Sequence, residues 1–292
     1  MRKLFLALAS LVLAGTSSAN LIIYDGFDYS TGSLLGKTNP STGNNYLRAG
    51  TSTNPTAINV VSGSLASPGG TYPTPVGNSL ALTGIGDNSG STDRLALPST
   101  ISTGTVYYSM LLRGDSLSGS NNTTGGFFIG LNNTGNSSQT TNPSVAAARI
   151  QSRIDPTDAS KYDLGIFSNV AATAGATSWS GPIALSGTHL IVCSYTFNTA
   201  TATDDVASMW IDPDPSTFSN ASAPAPNFTA TGSDISSPGV SSVIFRQSPA
   251  PFFTMDEFRL GTNWSDVFTV PEPASLSLLA IGASLLVRRR RA

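Results

Sequence analysis

The 292-residue chain has one cysteine and one histidine, and each scarcity excludes a class of site. Cys193 has no second cysteine in the chain, so an intramolecular disulfide is excluded. We expect Cys193 to be a small buried apolar residue instead. His189 has no partner histidine for a metal and no recognisable nucleophile motif beside it, so we expect an ordinary, partly buried strand residue.

Lysine and glutamate are scarce in the body of the chain. Residues 20–270 contain two lysines, Lys37 and Lys161, and one glutamate, Glu257. Exposed helices need such side chains, whereas serine, threonine and asparagine compete with the helical backbone for hydrogen bonds. This composition predicts an all-β protein.

Basic residues are also few once the two ends of the chain are set aside. Residues 20–270 hold nine basic and sixteen acidic side chains, a net charge of about −7. Nucleic-acid binding needs clustered basic residues against phosphates. The charge balance therefore argues against a nucleic-acid partner.

Apolar and polar residues alternate between turn residues along nine segments, and this pattern predicts nine strands. The segments are residues 21–24, 104–113, 127–131, 146–154, 162–167, 188–197, 206–211, 240–246 and 253–260. Low-complexity stretches between them, such as residues 216–232, are predicted loops. Nine short strands favour one domain over residues 20–269, built as a two-sheet antiparallel sandwich.

The amino-terminal segment has the features of a secretory signal peptide. Arg2 and Lys3 precede an apolar run from Leu4 to Ala14, and Ser17-Ser18-Ala19 supplies small residues before a cleavage point. We predict a signal helix within residues 1–19 and export of the chain.

The carboxyl-terminal segment has three parts in a fixed order. Val270-Pro271-Glu272-Pro273 is followed by an apolar run from Ala274 to Val287 and then by four arginines. As a helix the apolar run would rise about 21 Å, short of the roughly 30 Å core of a bilayer. A basic cluster beside such a run is retained on the cytoplasmic side, so the body would face outward.

Together the two ends resemble the bacterial PEP-CTERM family. The resemblance implies that residues 270–292 are a sorting signal processed by an exosortase-type membrane protease, in organisms that make exopolysaccharide. Pro271, Glu272 and Pro273 would be the recognised tripeptide, and the hydrophobic helix 274–287 would stop temporarily in the inner membrane. The cytoplasmic anchor would be formed by Arg288, Arg289, Arg290 and Arg291.

Scattered pieces of the body are similar to concanavalin-like jelly-roll domains. They are the opening Asp25-Gly26-Phe27-Asp28-Tyr29 with Gly32-Ser33-Leu34-Leu35-Gly36, the strand Val106-Tyr107-Tyr108-Ser109, the hairpin end Ser208-Met209-Trp210-Ile211-Asp212-Pro213 and the late Met255-Asp256-Glu257-Phe258-Arg259-Leu260-Gly261. The resemblance implies a jelly-roll sandwich of the superfamily that contains legume-type lectins, laminin-G-like modules and a group of glucanases.

The glucanases of that superfamily use two glutamates in a Glu-x-Asp-x-Glu pattern, which this chain lacks. Retaining hydrolysis needs two carboxyl groups about 5 Å apart, and Glu257 is the only glutamate of the body. We therefore predict a non-enzymatic protein. A hydrolase or lyase that acts on polysaccharide through aspartate pairs remains an alternative.

Tryptophan and aspartate supply the candidates for ligand binding. Sugar rings stack on aromatic side chains, and Trp179 and Trp210 are the candidates for glycan contact. Carboxylate oxygens suit calcium, although none of these residues follows an EF-hand spacing. The candidate metal ligands are Asp204, Asp205, Asp212 and Asp214, with Asp87, Asn88 and Asp93 as further oxygen donors.

The sequence thus predicts an exported, non-enzymatic protein of the cell surface or extracellular matrix, associated with exopolysaccharide. The alternative is a lectin-like module that binds glycan, with or without calcium. No other cofactor is predicted. Asp256 shares the alternation of Phe258 and Leu260, so we expect it on the same strand face in a structural role.

Overall fold

The computed structural model describes residues 21–50, 57–70, 72–83, 92–118, 120, 125–139, 142–169, 178–247 and 251–269. These residues form sixteen strands in two antiparallel sheets, so the predicted all-β sandwich is confirmed and is jelly-roll-like. The helices expected in residues 1–19 and 270–292 lie outside the described residues. Within the described ranges, no helix has the length and apolar character needed to span a bilayer.

In chain order, the strands are β1 (Leu21–Asp25), β2 (Gly32–Ser33), β3 (Leu47–Arg48), β4 (Asn59–Val61), β5 (Ser79–Thr83), β6 (Thr92–Ile101), β7 (Thr105–Ser116), β8 (Gly126–Asn132), β9 (Ala147–Ile154), β10 (Tyr162–Phe167), β11 (Ser178–Trp179), β12 (Thr188–Thr196), β13 (Asp205–Ile211), β14 (Phe228–Gly232), β15 (Val240–Arg246) and β16 (Phe252–Gly261). Three short 3-10 helices cover Pro68–Gly70, Pro215–Thr217 and Ser265–Phe268.

The nine-stranded sheet has the order β14-β13-β12-β7-β16-β5-β4-β2, and β1 also pairs with β16. The seven-stranded sheet has the order β11-β10-β9-β8-β15-β6-β3. All nine predicted strands are present with small shifts at their ends. The prediction of a loop over residues 216–232 is wrong for its last five residues, which form β14 and pair with β13.

The main core lies between the two sheets. Alternate residues of β7 and β12, such as Tyr108, Met110 and Cys193, face Ile150 and Leu164 of the other sheet, and all are fully buried. Burial raises the pKa of the Cys193 thiol well above its usual range. Cys193 is therefore a small buried residue of the core, as the sequence predicts.

A second apolar cluster covers the outer face of the nine-stranded sheet. It joins residues of β7, β12 and β13 to the loops that follow β4, β13 and β16. Phe218 and Phe268 stack at 4.0 Å between ring centroids, and the end of the described chain is fixed there because the Thr269 carbonyl accepts a hydrogen bond from Arg259 Nε at 3.0 Å. This part of the outer face is buried under loops.

A bulge interrupts β16 at Glu257, whose φ is 54°. The register against β7 shifts between Asp256 and Arg259, so Met255 and Phe258 both enter the main core. The expectation that Asp256 shares a face with Phe258 is therefore wrong, because the bulge reverses the alternation after it.

Candidate functional site

The outer face of the seven-stranded sheet carries an unusual row of side chains on β9. Ile150 points into the main core, so Arg149, Gln151 and Arg153 point outward. The register pairs these three with outward positions of β10, namely Phe167, Gly165 and Asp163 respectively. Charged, amide and aromatic groups therefore share one sheet surface.

Trp179 lies at the edge of this surface. It belongs to β11, opposite Gly165 of β10, and its side chain is partly exposed. The Arg153 guanidinium lies 4.1 Å from the centroid of its ring, and Phe167 meets it edge-on at 6.4 Å. These two contacts restrict the orientation of the Trp179 ring.

Two more arginines stack on neighbouring rings. The Arg149 guanidinium lies 4.6 Å from the Phe167 ring and 5.4 Å from the Phe127 ring, and that of Arg246 lies 4.4 Å from Phe127. We call this surface the arginine–aromatic face. It consists of Phe127, Arg149, Gln151, Arg153, Phe167, Trp179 and Arg246.

The arginine–aromatic face is rich in positive charge. Burial, and then the charge of Arg246, lower the pKa of Arg149 to about 10, and burial also lowers the pKa of Arg246. Both groups remain charged at neutral pH. Arg153 pairs with Asp163 at 3.0 Å, and burial raises the pKa of that carboxyl.

Trp210, the second predicted glycan-binding residue, lies on the other sheet. Its side chain is 4% exposed, packs against Trp264 at 5.0 Å and donates from Nε1 to the Pro224 and Ala225 carbonyls. A pocket of about 200 Å³ opens beside it, next to Asp212 and Asp214. Trp179 and Trp210 are thus on opposite sides of the sandwich and do not form one site.

The structure separates the predicted metal ligands into two places. Asp204 and Asp205 meet Asp234, which the sequence did not single out, with ligand atoms within 4.8 Å of one another. Most of these oxygens accept hydrogen bonds that hold the turn between β12 and β13, from residues such as Asn198 and Thr201. The three carboxylates could supply oxygen ligands to calcium.

The other candidate oxygen donors are engaged elsewhere or not described. Asp212 accepts from the Leu190 amide at 2.8 Å and contacts His189 Nδ1 at 2.7 Å, so it joins β12 to the end of β13. Asp214 accepts from the Ser216 amide at the start of a 3-10 helix. Asp93 is buried in β6, and residues 87 and 88 lie outside the described residues.

Glu257 lies at the centre of a buried polar cluster. Its carboxylate pairs with Arg259 at 2.6 Å and accepts from the Val76 amide at 2.9 Å, and both charged side chains are fully buried. The centroids of the Tyr24 and Tyr72 rings lie 4.9 Å and 4.7 Å from the Arg259 guanidinium. Because the ion pair is fully buried and its groups bind one another and the backbone, we interpret it as structural.

Asp256 is also fully buried. It accepts from the amides of Leu65 and Glu257, and burial raises its pKa to about 7. These two bonds attach the loop after β4 to β16, which is the structural role expected for this residue.

The comparison with protein families places a PEP-CTERM protein-sorting motif at residues 269–291, which confirms that prediction. The motif implies export, association with the cell surface and recognition by exosortase, a membrane protein. Pro271, Glu272, Pro273 and the four terminal arginines lie outside the described residues. The chain has no significant match among curated proteins.

Several solved structures are similar to the chain at low identity. A glycosyl hydrolase family protein from Mycobacterium fortuitum has 12% identity and a TM-score of 0.40 over 82% of this chain and 99% of that one. An endo-β-1,4-glucuronan lyase from Trichoderma reesei has 11% identity and a TM-score of 0.40 over 76% and 96%. The Emp46p carbohydrate recognition domain has 14% identity and a TM-score of 0.36 over 63% and 82%.

The sequence interpretation found Trp179 but missed the arginines beside it. A signal was present, because Arg149 and Arg153 are four residues apart on a predicted strand and hence share a face. Their partners Phe127 and Phe167 belong to other strands, and only the sheet order brings them together.

Proposed function

We propose that this is an exported, non-enzymatic surface protein that binds exopolysaccharide through the arginine–aromatic face. The observation that carries the proposal is Trp179, a partly exposed ring held by Arg153 and Phe167 on an outward sheet surface. Aromatic rings of fixed orientation suit the apolar faces of sugar rings.

The sorting motif supports delivery to the outside of the cell, and the signal peptide predicted at residues 1–19 is consistent with it. In the proposal, exosortase cleaves the chain near Pro271-Glu272-Pro273 after transient insertion of residues 274–287 in the inner membrane. The released body then reaches the surface or the extracellular matrix.

Processing is tested by intact-mass measurement of the protein collected from the cell surface. We expect a product that lacks Arg288 to Arg291 in cells with exosortase. A Glu272→Ala variant should escape cleavage, so its mass should include the carboxyl-terminal tail and it should stay in the membrane fraction. A surface product that retains the four arginines would contradict cleavage.

Glycan binding is tested by affinity electrophoresis in gels containing cellulose derivatives, xylan or polygalacturonate. We expect retardation by at least one of these polymers and a loss of about tenfold or more in affinity for Trp179→Ala, as for an exposed tryptophan that anchors an interface. Trp210→Phe is the matched control, because that ring is buried on the opposite sheet. Equal binding by Trp179→Ala and the unaltered protein would refute the role of this face.

The carboxylates support a non-enzymatic role. Hydrolysis of a glycosidic bond by the usual mechanism needs two carboxyl groups, one on each side of the bond. Glu257 is fully buried in its pair with Arg259. Among the described strand residues that point outward from the seven-stranded sheet, Asp163 is the one carboxylate, and it pairs with Arg153.

No cofactor is part of the proposal. Calcium at Asp204, Asp205 and Asp234 would lie at the hairpin between β12 and β13, on the nine-stranded sheet. A cation there would stabilise that hairpin and would not contact the arginine–aromatic face.

A further inference from the structure

We propose that the ligand of the arginine–aromatic face is an acidic polysaccharide, recognised through carboxylate or sulfate groups that lie against Arg149, Arg153 and Arg246. This inference rests on the proposed function and narrows it to one chemical class of glycan. It follows from the charges of the face and from the Arg149 guanidinium, which has no anionic partner among the described residues.

Arg149 is a buried cation without a counter-ion in the described part of the chain. Its side chain is 7% exposed, its contacts are the rings of Phe127 and Phe167, and its Nε has no hydrogen-bond partner. A buried charge is costly unless an opposite charge or hydrogen-bond acceptors compensate for it. A ligand anion at the surface above Arg149 would provide that compensation.

The charge of the face opposes that of the body. Outward strand positions of the seven-stranded sheet hold Arg94, Arg149, Arg153 and Arg246 but one described carboxylate, Asp163. The body as a whole has a net charge of about −7. Such a concentration of arginine on one surface of an acidic protein attracts anions to that surface.

The spacing suits an extended chain with repeated charges. Arg149 and Arg153 are four residues apart on β9, a separation of about 13 Å. Trp179, Gly165, Gln151 and Phe127 form a row across four strands, about 14 Å from end to end. Guanidinium groups bind carboxylates and sulfates with two parallel hydrogen bonds, and the partly exposed ring of Trp179 at the end of the row offers a stacking surface for sugar.

The test compares polygalacturonate with its methyl ester, which has the same sugar backbone without the charge. By isothermal titration calorimetry, we expect the acid to bind at least about tenfold more tightly than the ester, and added NaCl to weaken binding of the acid alone. A second comparison, of dextran sulfate with uncharged dextran, tests recognition of sulfate groups, whereas the polygalacturonate pair tests recognition of carboxylates.

Arg153→Gln should weaken binding of the acid by about tenfold and binding of the ester by much less, because the ester has no carboxylate to lose while both polymers depend on the Trp179 ring that Arg153 contacts. Arg153→Lys keeps the charge and should give an intermediate affinity. Arg113→Gln is the matched control, since Arg113 is a part-exposed arginine of the nine-stranded sheet that is ion-paired in the same way, with Asp115. Its affinity should equal that of the unaltered protein.

Three results would overturn the inference. They are equal affinity for the acid and the ester, equal weakening by Arg153→Gln and Arg113→Gln, and tighter binding to duplex DNA than to either acidic polymer. In the first case, Trp179-dependent binding of a neutral polymer would leave the proposed function standing. Absence of binding to every polysaccharide would overturn both proposals.

Discussion

Glu257→Gln should lower the free energy of unfolding by about 3–5 kcal/mol, as for other buried ion pairs that lose one member. The substitution keeps the shape of the side chain but leaves the Arg259 guanidinium fully buried without its counter-charge. The loss is measured by urea denaturation at neutral pH. A change below about 1 kcal/mol would contradict the structural role of the pair.

Two further variants complete this test. Lys161→Met removes an exposed ion pair with Asp158, in which both side chains are 38% exposed, and should change the free energy of unfolding far less than Glu257→Gln does. The double variant Glu257→Gln/Arg259→Met should be more stable than Glu257→Gln, because no unpaired charge then stays buried. If the double variant is less stable than the single variant, the contacts of Arg259 with Tyr24 and Tyr72 outweigh the cost of its unpaired charge.

Trp264→Ala should lower the free energy of unfolding by about 3–5 kcal/mol. The side chain is 1% exposed, packs against Trp210 and Phe268, and donates from Nε1 to the Thr217 carbonyl at 2.8 Å. Removing it leaves a cavity under the loops that cover the nine-stranded sheet. Urea denaturation measures the effect, and Val76→Ala, at a side chain 52% exposed, serves as the control with little change.

The same variant separates stability from ligand binding. Below its melting temperature, Trp264→Ala should bind polysaccharide like the unaltered protein, because the altered ring lies on the sheet opposite the arginine–aromatic face. Loss of binding by a folded Trp264→Ala protein would mean that the loop-covered side of the sandwich contacts the ligand.

Strands with regular alternation could be predicted from the sequence, and irregular ones could not. β7 and β12 were found because their apolar residues recur at every second position. β6 was missed because Pro98 and the pair Asp93-Arg94 interrupt that pattern. The bulge at Glu257 has no signal in the sequence, since it depends on how β16 pairs with its neighbours.

The candidate site was predicted only in its most local part. Trp179 could be singled out because the sequence predicts a loop over residues 177–182, where the structure has the short strand β11. The arginine and the ring that contact it belong to other strands. Which side chains become neighbours across strands depends on the order and register of the strands in the sheet. The stacking of Arg149 between Phe127 and Phe167 joins three strands and is a property of the fold.

The position of Thr269 determines which way an attached molecule would point. Val267 and Phe268 are buried against the nine-stranded sheet, so the chain passes into the sorting motif from that side of the sandwich. The arginine–aromatic face lies on the opposite side. A chain that ends at Thr269 and is coupled to a solid support through that end would therefore turn its arginine–aromatic face away from the support.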